Sequence, residues 1–174
     1  MNEYNKHLVY SALIAAGALV VFKLVFALMG KAYQPIDTMI SITINVSAVL
    51  FALNYNKRAY LEGVMSFKQA FKGGFKMILI IAPILAVYTY FDLKYISINY
   101  LPDLMVRIQE TYLQLGVEEE TVEMISIMFE KMLTPAVMAF SSIFNRLFWG
   151  AILCLIVAAI VKQQPNPLLN SEKE

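Results

Sequence analysis

Four apolar stretches dominate this sequence, and their length constrains the fold more than any other feature. They run over residues 8–29, 38–55, 75–96 and 142–161. A helix needs about 20 apolar residues to cross a hydrocarbon core of roughly 30 Å. Only 16% of the 174 residues are charged, whereas soluble domains average about 25%. The pattern therefore predicts an all-α integral membrane protein, folded as a single domain around a bundle of four spanning helices.

Part of the second stretch, Ile40–Ser47, alternates strictly between apolar and polar residues, which is typical of a β-strand. A lone strand in lipid would leave its backbone groups without hydrogen bonds. A closed barrel would need many such segments, and the chain offers one. Serine and threonine hydroxyls are tolerated in helices because they can bond the backbone one turn back. We therefore interpret this segment as helical.

The distribution of charge predicts the orientation of the bundle. Residues 56–76, between the second and third stretches, contain five basic residues and one acid. Residues 97–134 contain two bases and seven acids, a net charge of −5. Basic connections stay in the cytoplasm. We therefore expect the first connection and both chain ends inside the cell, and residues 97–134 outside.

The acidic segment, residues 97–134, has the pattern of an amphipathic helical hairpin. Apolar residues recur at helical spacing in two runs, and Gly116 separates them. The glutamates gather at the start of the second run, where the helix dipole favours negative charge. Consecutive carboxylates on a helix point apart, so we predict no metal site there. The apolar stripes must cover each other, the membrane surface or a protein partner.

The chain leading into the third span also has a readable local pattern. Ser66 and Gln69 form a capping box, which predicts a helix beginning at Phe67. The phenylalanine rings and the lysines of this helix fall on opposite faces, which suits the lipid headgroup region. The alternative is that the segment only connects the cytoplasmic side to the third span. Gly73–Gly74 permits a bend or close packing. Pro83 predicts a kink near the middle of the membrane.

Three polar residues fall within the predicted spans: Lys23, Asn45 and Arg146. Intramembrane charge is a functional hypothesis by default, and we expect Asn45 to bond a neighbouring helix. The helical rise places Lys23 about 7 Å and Arg146 about 6 Å below the outer face. We hypothesise that one of them pairs with an acid of residues 97–134 and anchors that segment over the bundle. The alternative is that both only extend to the headgroups.

Small residues recur at every fourth position of the last span, at Gly150, Cys154 and Ala158. This stripe predicts a face on which another helix packs closely. Ala12 and Ala16 in the first span are a candidate counterpart. We interpret Cys154 as part of the packing face rather than as a reactive thiol.

Several function classes have no support in the sequence. His7 is the only histidine and has no nucleophile motif nearby, so we predict no enzyme, no catalytic or cofactor-binding residue and no cofactor. The formal net charge is +1, so there is no basic domain for nucleic acid. The single cysteine excludes an intramolecular disulfide.

A motif before the third span carries a resemblance to a known family. It reads Gly-x-x-Ser-Phe-x-x-Ala-x-x-x-Gly, and its residues are Gly63, Ser66, Phe67, Ala70 and Gly74. The Glu- and Met-rich segment before the last span and the small residues of the last span, which ends at Lys162, extend the same pattern. In these features the chain resembles an uncharacterised four-helix inner-membrane family of Gram-negative bacteria, a domain of unknown function. The resemblance implies the inner membrane, with the hairpin in the periplasm, and implies no activity or substrate.

These observations predict a small inner-membrane protein that acts as a structural or accessory subunit. Beyond the lipid bilayer, we expect a protein partner at the hairpin or at the small-residue face. The alternative is a transport or channel component, which would require Lys23, Asn45 and Arg146 to face one another across an interior cavity. A third hypothesis is an envelope sensor that relays binding at the hairpin to the basic inner connection.

Overall fold

The computed structural model describes residues 3–162, which form six α-helices and no strand. The helices are α1 Glu3–Leu28, α2 Pro35–Tyr60, α3 Phe67–Phe91, α4 Tyr100–Gln114, α5 Glu119–Met132 and α6 Pro135–Val161. Helix α3 continues into one wider π-helical turn, Asp92–Ile96. Helices α1, α2, α6 and the extended α3 are long and apolar enough to cross a membrane. This confirms the all-α membrane bundle, with a helical hairpin between the third and fourth spans.

The segment that alternates like a strand lies inside α2 and is helical throughout. The Thr43 hydroxyl donates a hydrogen bond to the Met39 carbonyl at 2.9 Å, one turn back. The side-chain amide of Asn45 donates to the Ser41 carbonyl, also at 2.9 Å. These two polar side chains of α2 are thus satisfied by the backbone of their own helix.

Caps fix where the later spans begin. The Ser66 hydroxyl accepts from the Gln69 backbone at 3.2 Å, while the Gln69 side chain accepts from the Ser66 backbone at 2.9 Å. The predicted capping box is therefore present, and α3 begins at Phe67. Thr134 caps α6 in a similar way by accepting from the Val137 backbone at 3.3 Å.

Helix α3 lies at the centre of the bundle, where it packs against α1, α2 and most extensively α6. A Cβ added to Gly150 on α6 would lie 2.5 Å from Cγ2 of Ile78 on α3. A Cβ on Gly74 would lie 3.0 Å from the Cys154 sulfur. These glycines let the α3 and α6 backbones approach closely. The helix that meets the small-residue stripe is therefore α3.

The predicted counterpart on α1 is wrong. Ala12 and Ala16 are buried, but α1 packs chiefly on α2 and α3. Helix α3 has small residues of its own that face two directions. A Cβ on Gly73 would lie 2.8 Å from side chains of both Leu53 and Tyr4, on the side away from α6. Gly73–Gly74 thus serves close packing, which is one of the two roles predicted for it. Helix α3 continues through Pro83 without a break. The kink remains a prediction.

Helices α4 and α5 form the predicted hairpin. Gly116 makes the turn with φ +79°, a conformation in the left-handed region that glycine adopts freely. The Gln109 side chain donates to the Ser126 hydroxyl at 2.9 Å and joins the two helices. No residue of α4 is buried, and Val122 is the one buried residue of α5. The hairpin is therefore held together largely by its own contacts and leaves most of its surface uncovered.

Candidate functional site

A group of charged and hydroxyl-bearing side chains gathers where α3 leads into α4, at what we call the hairpin end of the bundle. The group lines one small cavity and comes from α1, the α1–α2 connection, α2, α3 with its π-helical turn, and α6. We name it the charge cluster, and its members are Lys23, Tyr33, Asp37, Tyr88, Asp92 and Arg146. It contains two cations and two carboxylates, so its formal charges cancel.

Lys23 and Asp37 form the ion pair of the charge cluster. The Lys23 ammonium lies 3.0 Å from each carboxylate oxygen of Asp37. Both side chains are largely withdrawn from solvent, with exposed fractions of 14% for Lys23 and 5% for Asp37. The short connection of residues 29–34 turns α2 back alongside α1, which places the two residues opposite each other. The hypothesis that Lys23 pairs with a hairpin acid is therefore wrong, because a nearer carboxylate lies in the neighbouring span.

Arg146 enters the same cavity from α6 without a direct ion pair. Within residues 3–162 no carboxylate lies within 4.0 Å of its guanidinium, and its buried Nε has no hydrogen-bond partner. Asp37 attracts the guanidinium electrostatically across the cavity. A hairpin acid is thus not the partner of Arg146 either. Arg146 thus acts on the charge cluster only at longer range.

Tyr33 connects the second carboxylate to the α1–α2 connection. Its hydroxyl donates to Asp92 Oδ2 at 2.5 Å, and the other Asp92 oxygen accepts from the Ser97 hydroxyl at 3.2 Å. Burial of the hydroxyl, and then its hydrogen bond to Asp92, raise the pKa of Tyr33 well above its ordinary value. The Tyr33 backbone has φ +60°, a conformation that costs a residue with a side chain about 1–2 kcal/mol. The surrounding contacts hold Tyr33 in this strained position.

The charge cluster also contacts the hairpin. The ring of Tyr33 stacks on the ring of Tyr100, with centroids 4.1 Å apart, and Tyr100 is the first residue of α4. Ser97, which bonds Asp92, lies in the short connection between the π-helical turn and α4. The start of the hairpin is therefore fixed to the bundle through a tyrosine stack and a buried aspartate. The predicted anchoring of the hairpin thus takes place through Asp92 and Tyr33, and the cations of the cluster contribute only indirectly.

The cavity inside the charge cluster is small. Its volume is about 20 Å³, which is close to the space that one water molecule needs. An organic solute does not fit in such a space. No three His, Cys, Asp or Glu side chains come close enough to hold a metal ion anywhere in residues 3–162. The arrangement can therefore hold helices in register or pass a proton, and it is too tight for a larger substrate.

Asn45 lies apart from the two intramembrane cations. Its amide bonds the Ser41 carbonyl in its own helix, so the expectation of a partner on a neighbouring helix is wrong. A carbonyl one turn back is already in place for it, whereas a partner on another helix is not. Asn45 lines a separate cavity of about 10 Å³ among apolar residues such as Val49 and Cys154. Lys23 and Arg146 share a cavity, and Asn45 does not face it.

The residues of the family-like motif have structural roles. Gly63 turns the chain with φ +81°, and Ser66 caps α3. Phe67 is the first residue of α3, Ala70 is fully buried, and Gly74 contacts α6. The motif therefore describes a turn, a helix start and a close helix crossing.

Sequence reasoning missed four members of the charge cluster: Tyr33, Asp37, Tyr88 and Asp92. A signal for the two acids was present, because Asp37 lies one residue before the second predicted span and Asp92 lies inside the third. An acidic residue within a span indicates a candidate functional site in the same way as a basic residue does.

Comparison with known protein families identifies this chain. A family model described as "Protein of unknown function (DUF4199)" matches residues 10–163. The chain therefore belongs to this family, which confirms the resemblance to an uncharacterised domain family. The matched range includes every member of the charge cluster. No curated protein and no solved structure matches the chain.

Proposed function

We propose that this member of the DUF4199 family is an accessory protein of the bacterial inner membrane that presents its α4–α5 hairpin to a protein partner. One observation carries the proposal: the bundle leaves the apolar residues of the hairpin uncovered. Helix α4 has no buried residue, and α5 has only Val122. The proposal assigns no catalytic chemistry to the protein.

The uncovered residues of the hairpin follow helical spacing. On α5, Ile127 and Met128 follow Met124 by three and four positions, Met132 follows Met128 by four, and each of these residues is more than half exposed. With Val106, Leu113 and Leu115 they form what we call the hairpin apolar surface. Exposed apolar surface of this kind marks interaction sites. Methionine side chains are flexible and suit an adaptable contact.

Charge favours a protein over the lipid surface as the occupant. The hairpin segment carries seven acids against two bases, and anionic lipid headgroups repel such a segment. A protein with an apolar stripe flanked by basic residues complements it in both respects. The fixed attachment of the hairpin through Tyr33 and Tyr100 supports the same function, because a held surface loses less entropy when a partner binds.

The proposal places the hairpin in the periplasm and both chain ends in the cytoplasm. The basic connection between α2 and α3 supports this orientation. A reporter fused at Gly116 tests it, and we expect activity of a periplasmic reporter such as alkaline phosphatase. Activity of a cytoplasmic reporter at the same site would contradict the orientation and, with it, an outside partner.

Photocrosslinking in native membranes tests the partner. We expect a photoreactive residue at Met124 or Met128 to give one discrete crosslinked protein. The matched controls, at the exposed polar positions Glu123 and Glu130 of the same helix, should give none. Adding Ile127→Asp should abolish the product, since it places a charge on the hairpin apolar surface one turn from Met124.

Three results would reject the partner proposal. The first is crosslinking to lipid alone, and the second is crosslinking to another copy of this chain. The third is a product that persists in the Ile127→Asp variant, because such a contact does not depend on the apolar surface.

The transport alternative draws on the intramembrane charges of the charge cluster. It would need a path through the bundle, but the cluster cavity is about 20 Å³ and Asn45 lines a different one. These dimensions favour the accessory function.

A further inference from the structure

A larger cavity opens at the opposite end of the bundle from the charge cluster, where α1 and α3 begin and α2 ends. We call this the N-terminal end. The cavity has a volume of about 400 Å³, which lies within the range of small-molecule sites. We name it the basic cleft, and its polar lining consists of Tyr4, Asn5, Tyr60, Gln69, Lys72 and Lys76.

The charge of the basic cleft has one sign. Lys72 and Lys76 are four residues apart on α3 and therefore share a helix face, and no aspartate or glutamate lines the cleft. Among residues 3–162, Lys72 makes no ion pair within 4.0 Å. Glu3, the first residue of α1, already forms an ion pair with Lys6 at 2.7 Å. The two lysines thus produce a positive potential, and no carboxylate of residues 3–162 pairs with either of them within 4.0 Å.

The lysines are positioned differently. The Lys76 ammonium donates to the Asn5 side chain at 2.9 Å and so reaches across from α3 to α1. An ammonium has three donors, so this bond leaves Lys76 able to bind an anion as well. Lys72 is exposed at the mouth of the cleft. One cation is therefore held in place by a bond to α1 and is partly buried, and the other is exposed and free to close over a ligand.

The remaining lining suits the rest of such a ligand. Gln69 lies in the first turn of α3, where the helix dipole favours negative charge. Tyr60 and Gln69 supply neutral hydrogen-bond donors. Partly buried Leu61 adds an apolar surface, and fully buried Leu8 lies behind the wall of the cleft. A basic rim beside an apolar floor matches a molecule with an anionic head and an apolar part.

From these features we infer that the basic cleft binds the phosphate group of an anionic ligand, with Lys72 and Lys76 as its charged contacts. Two sources supply this chemistry: the headgroup of an anionic phospholipid in the adjacent leaflet, and free phosphate. The inference is independent of the hairpin partner, because the hairpin lies at the other end of the bundle.

A lipid titration of the full-length protein, delipidated in mild detergent, tests the inference. Dioleoyl-phosphatidylglycerol is added in increasing amounts, and native mass spectrometry gives its apparent Kd; dioleoyl-phosphatidylcholine is the zwitterionic reference. We expect Lys72→Gln/Lys76→Gln to raise the Kd for phosphatidylglycerol at least tenfold, since each lysine contributes strongly to anionic headgroup binding. Binding of phosphatidylcholine should stay unchanged.

The control is Arg58→Gln/Lys68→Gln. It removes the same charge from exposed positions at the same end of the bundle, and neither residue lines the basic cleft. We expect its Kd to change less than twofold. Because Lys76 bonds Asn5, the single variant Lys72→Gln is measured as well; it has no described ion pair to lose, and it should weaken binding about fivefold.

Inorganic phosphate distinguishes the two sources. If millimolar phosphate displaces phosphatidylglycerol from the wild-type protein, the cleft accepts free phosphate; if it does not, the ligand is the lipid. Either result supports the inference when the cleft variants bind more weakly. Equal weakening in the control variant, or unchanged binding in both cleft variants, would overturn it.

Discussion

The two ends of the bundle use the same types of side chain in opposite ways. At the hairpin end, Lys23 and Asp37 are paired and buried around a cavity of about 20 Å³. At the N-terminal end, Lys72 and Lys76 line an open cleft of about 400 Å³ without an acid among its lining residues. A buried neutral cluster fixes helices relative to one another, whereas an unneutralised pair of cations is available to a ligand.

This difference shows that the identity of a charged residue says less about its role than the charges around it. Removing one charge from the charge cluster leaves an opposite charge buried without compensation, which is costly. Removing one from the basic cleft reduces repulsion between like charges and exposes nothing new. The two ends should therefore respond to mutation with very different losses of stability.

The largest loss is expected for Asp37→Ala. It leaves the Lys23 ammonium in a buried site with a net positive charge, and it should lower the free energy of unfolding by about 3–5 kcal/mol. The measurement is an equilibrium unfolding titration with dodecyl sulfate in mixed micelles, followed by the fluorescence of Trp149, the single tryptophan.

The control for this variant is Lys23→Met/Asp37→Leu, which removes both charges and keeps the cluster neutral, since Arg146 and Asp92 remain. We expect it to recover most of the lost stability. A double variant as unstable as Asp37→Ala would mean that the loss arises from packing, and the charge cluster would then resemble any other part of the core.

A smaller loss is expected for Tyr33→Phe. The change keeps the ring that stacks on Tyr100 but removes the donor to Asp92, so a buried carboxylate loses one hydrogen bond. We expect a loss of about 1–3 kcal/mol at neutral pH by the same titration. Tyr33→Leu, which also removes the stacked ring, should in addition speed amide hydrogen exchange in the first turn of α4.

The pH dependence of stability gives an independent check on Tyr33. Its pKa is raised in the folded protein, so above pH 10 the unfolded chain loses this proton while the folded chain keeps it. The stabilisation is present below the ordinary tyrosine pKa and declines as pH rises above it. Wild-type stability should therefore fall more steeply between pH 10 and 11 than that of Tyr33→Phe. Parallel curves would argue against a buried, hydrogen-bonded hydroxyl.

The smallest effect is expected at the other end of the bundle. Lys72 is exposed and has no ion pair among residues 3–162, so Lys72→Gln should change the free energy of unfolding by less than about 0.5 kcal/mol in lipid-free detergent. Added phosphatidylglycerol should then stabilise the wild type more than the variant. A loss comparable with that of Asp37→Ala would remove the contrast between the two ends.

The architecture was predictable because it depends on local pattern. The length of the apolar stretches predicted four spans, helical spacing predicted the hairpin, and Ser66 with Gln69 predicted the start of α3. Each of these signals involves residues close in sequence. Hydropathy and capping therefore sufficed without knowledge of which helices are neighbours.

The charge cluster was not predictable in this way because it depends on packing between helices. Lys23 was recognised as an intramembrane cation, but its partner Asp37 lies in the first turn of the next helix. Gly150 was recognised as a packing residue, but its partner Ile78 became evident only with α3 at the centre. For Asn45 the prediction was wrong for the opposite reason: we expected a partner on another helix, but the Ser41 carbonyl of its own helix accepts its hydrogen bond.

The adjacent glycines of α3 have a consequence for biogenesis. Gly73 faces α1 and α2, which are synthesised before α3, whereas Gly74 lies between Val49 of α2 and Cys154 of α6, the helix that is synthesised last. The first three helices can close on one another as soon as α3 is inserted. The face of α3 that α6 covers stays open until α4 and α5 have been made and α6 has followed them, so synthesis of the hairpin delays completion of the bundle.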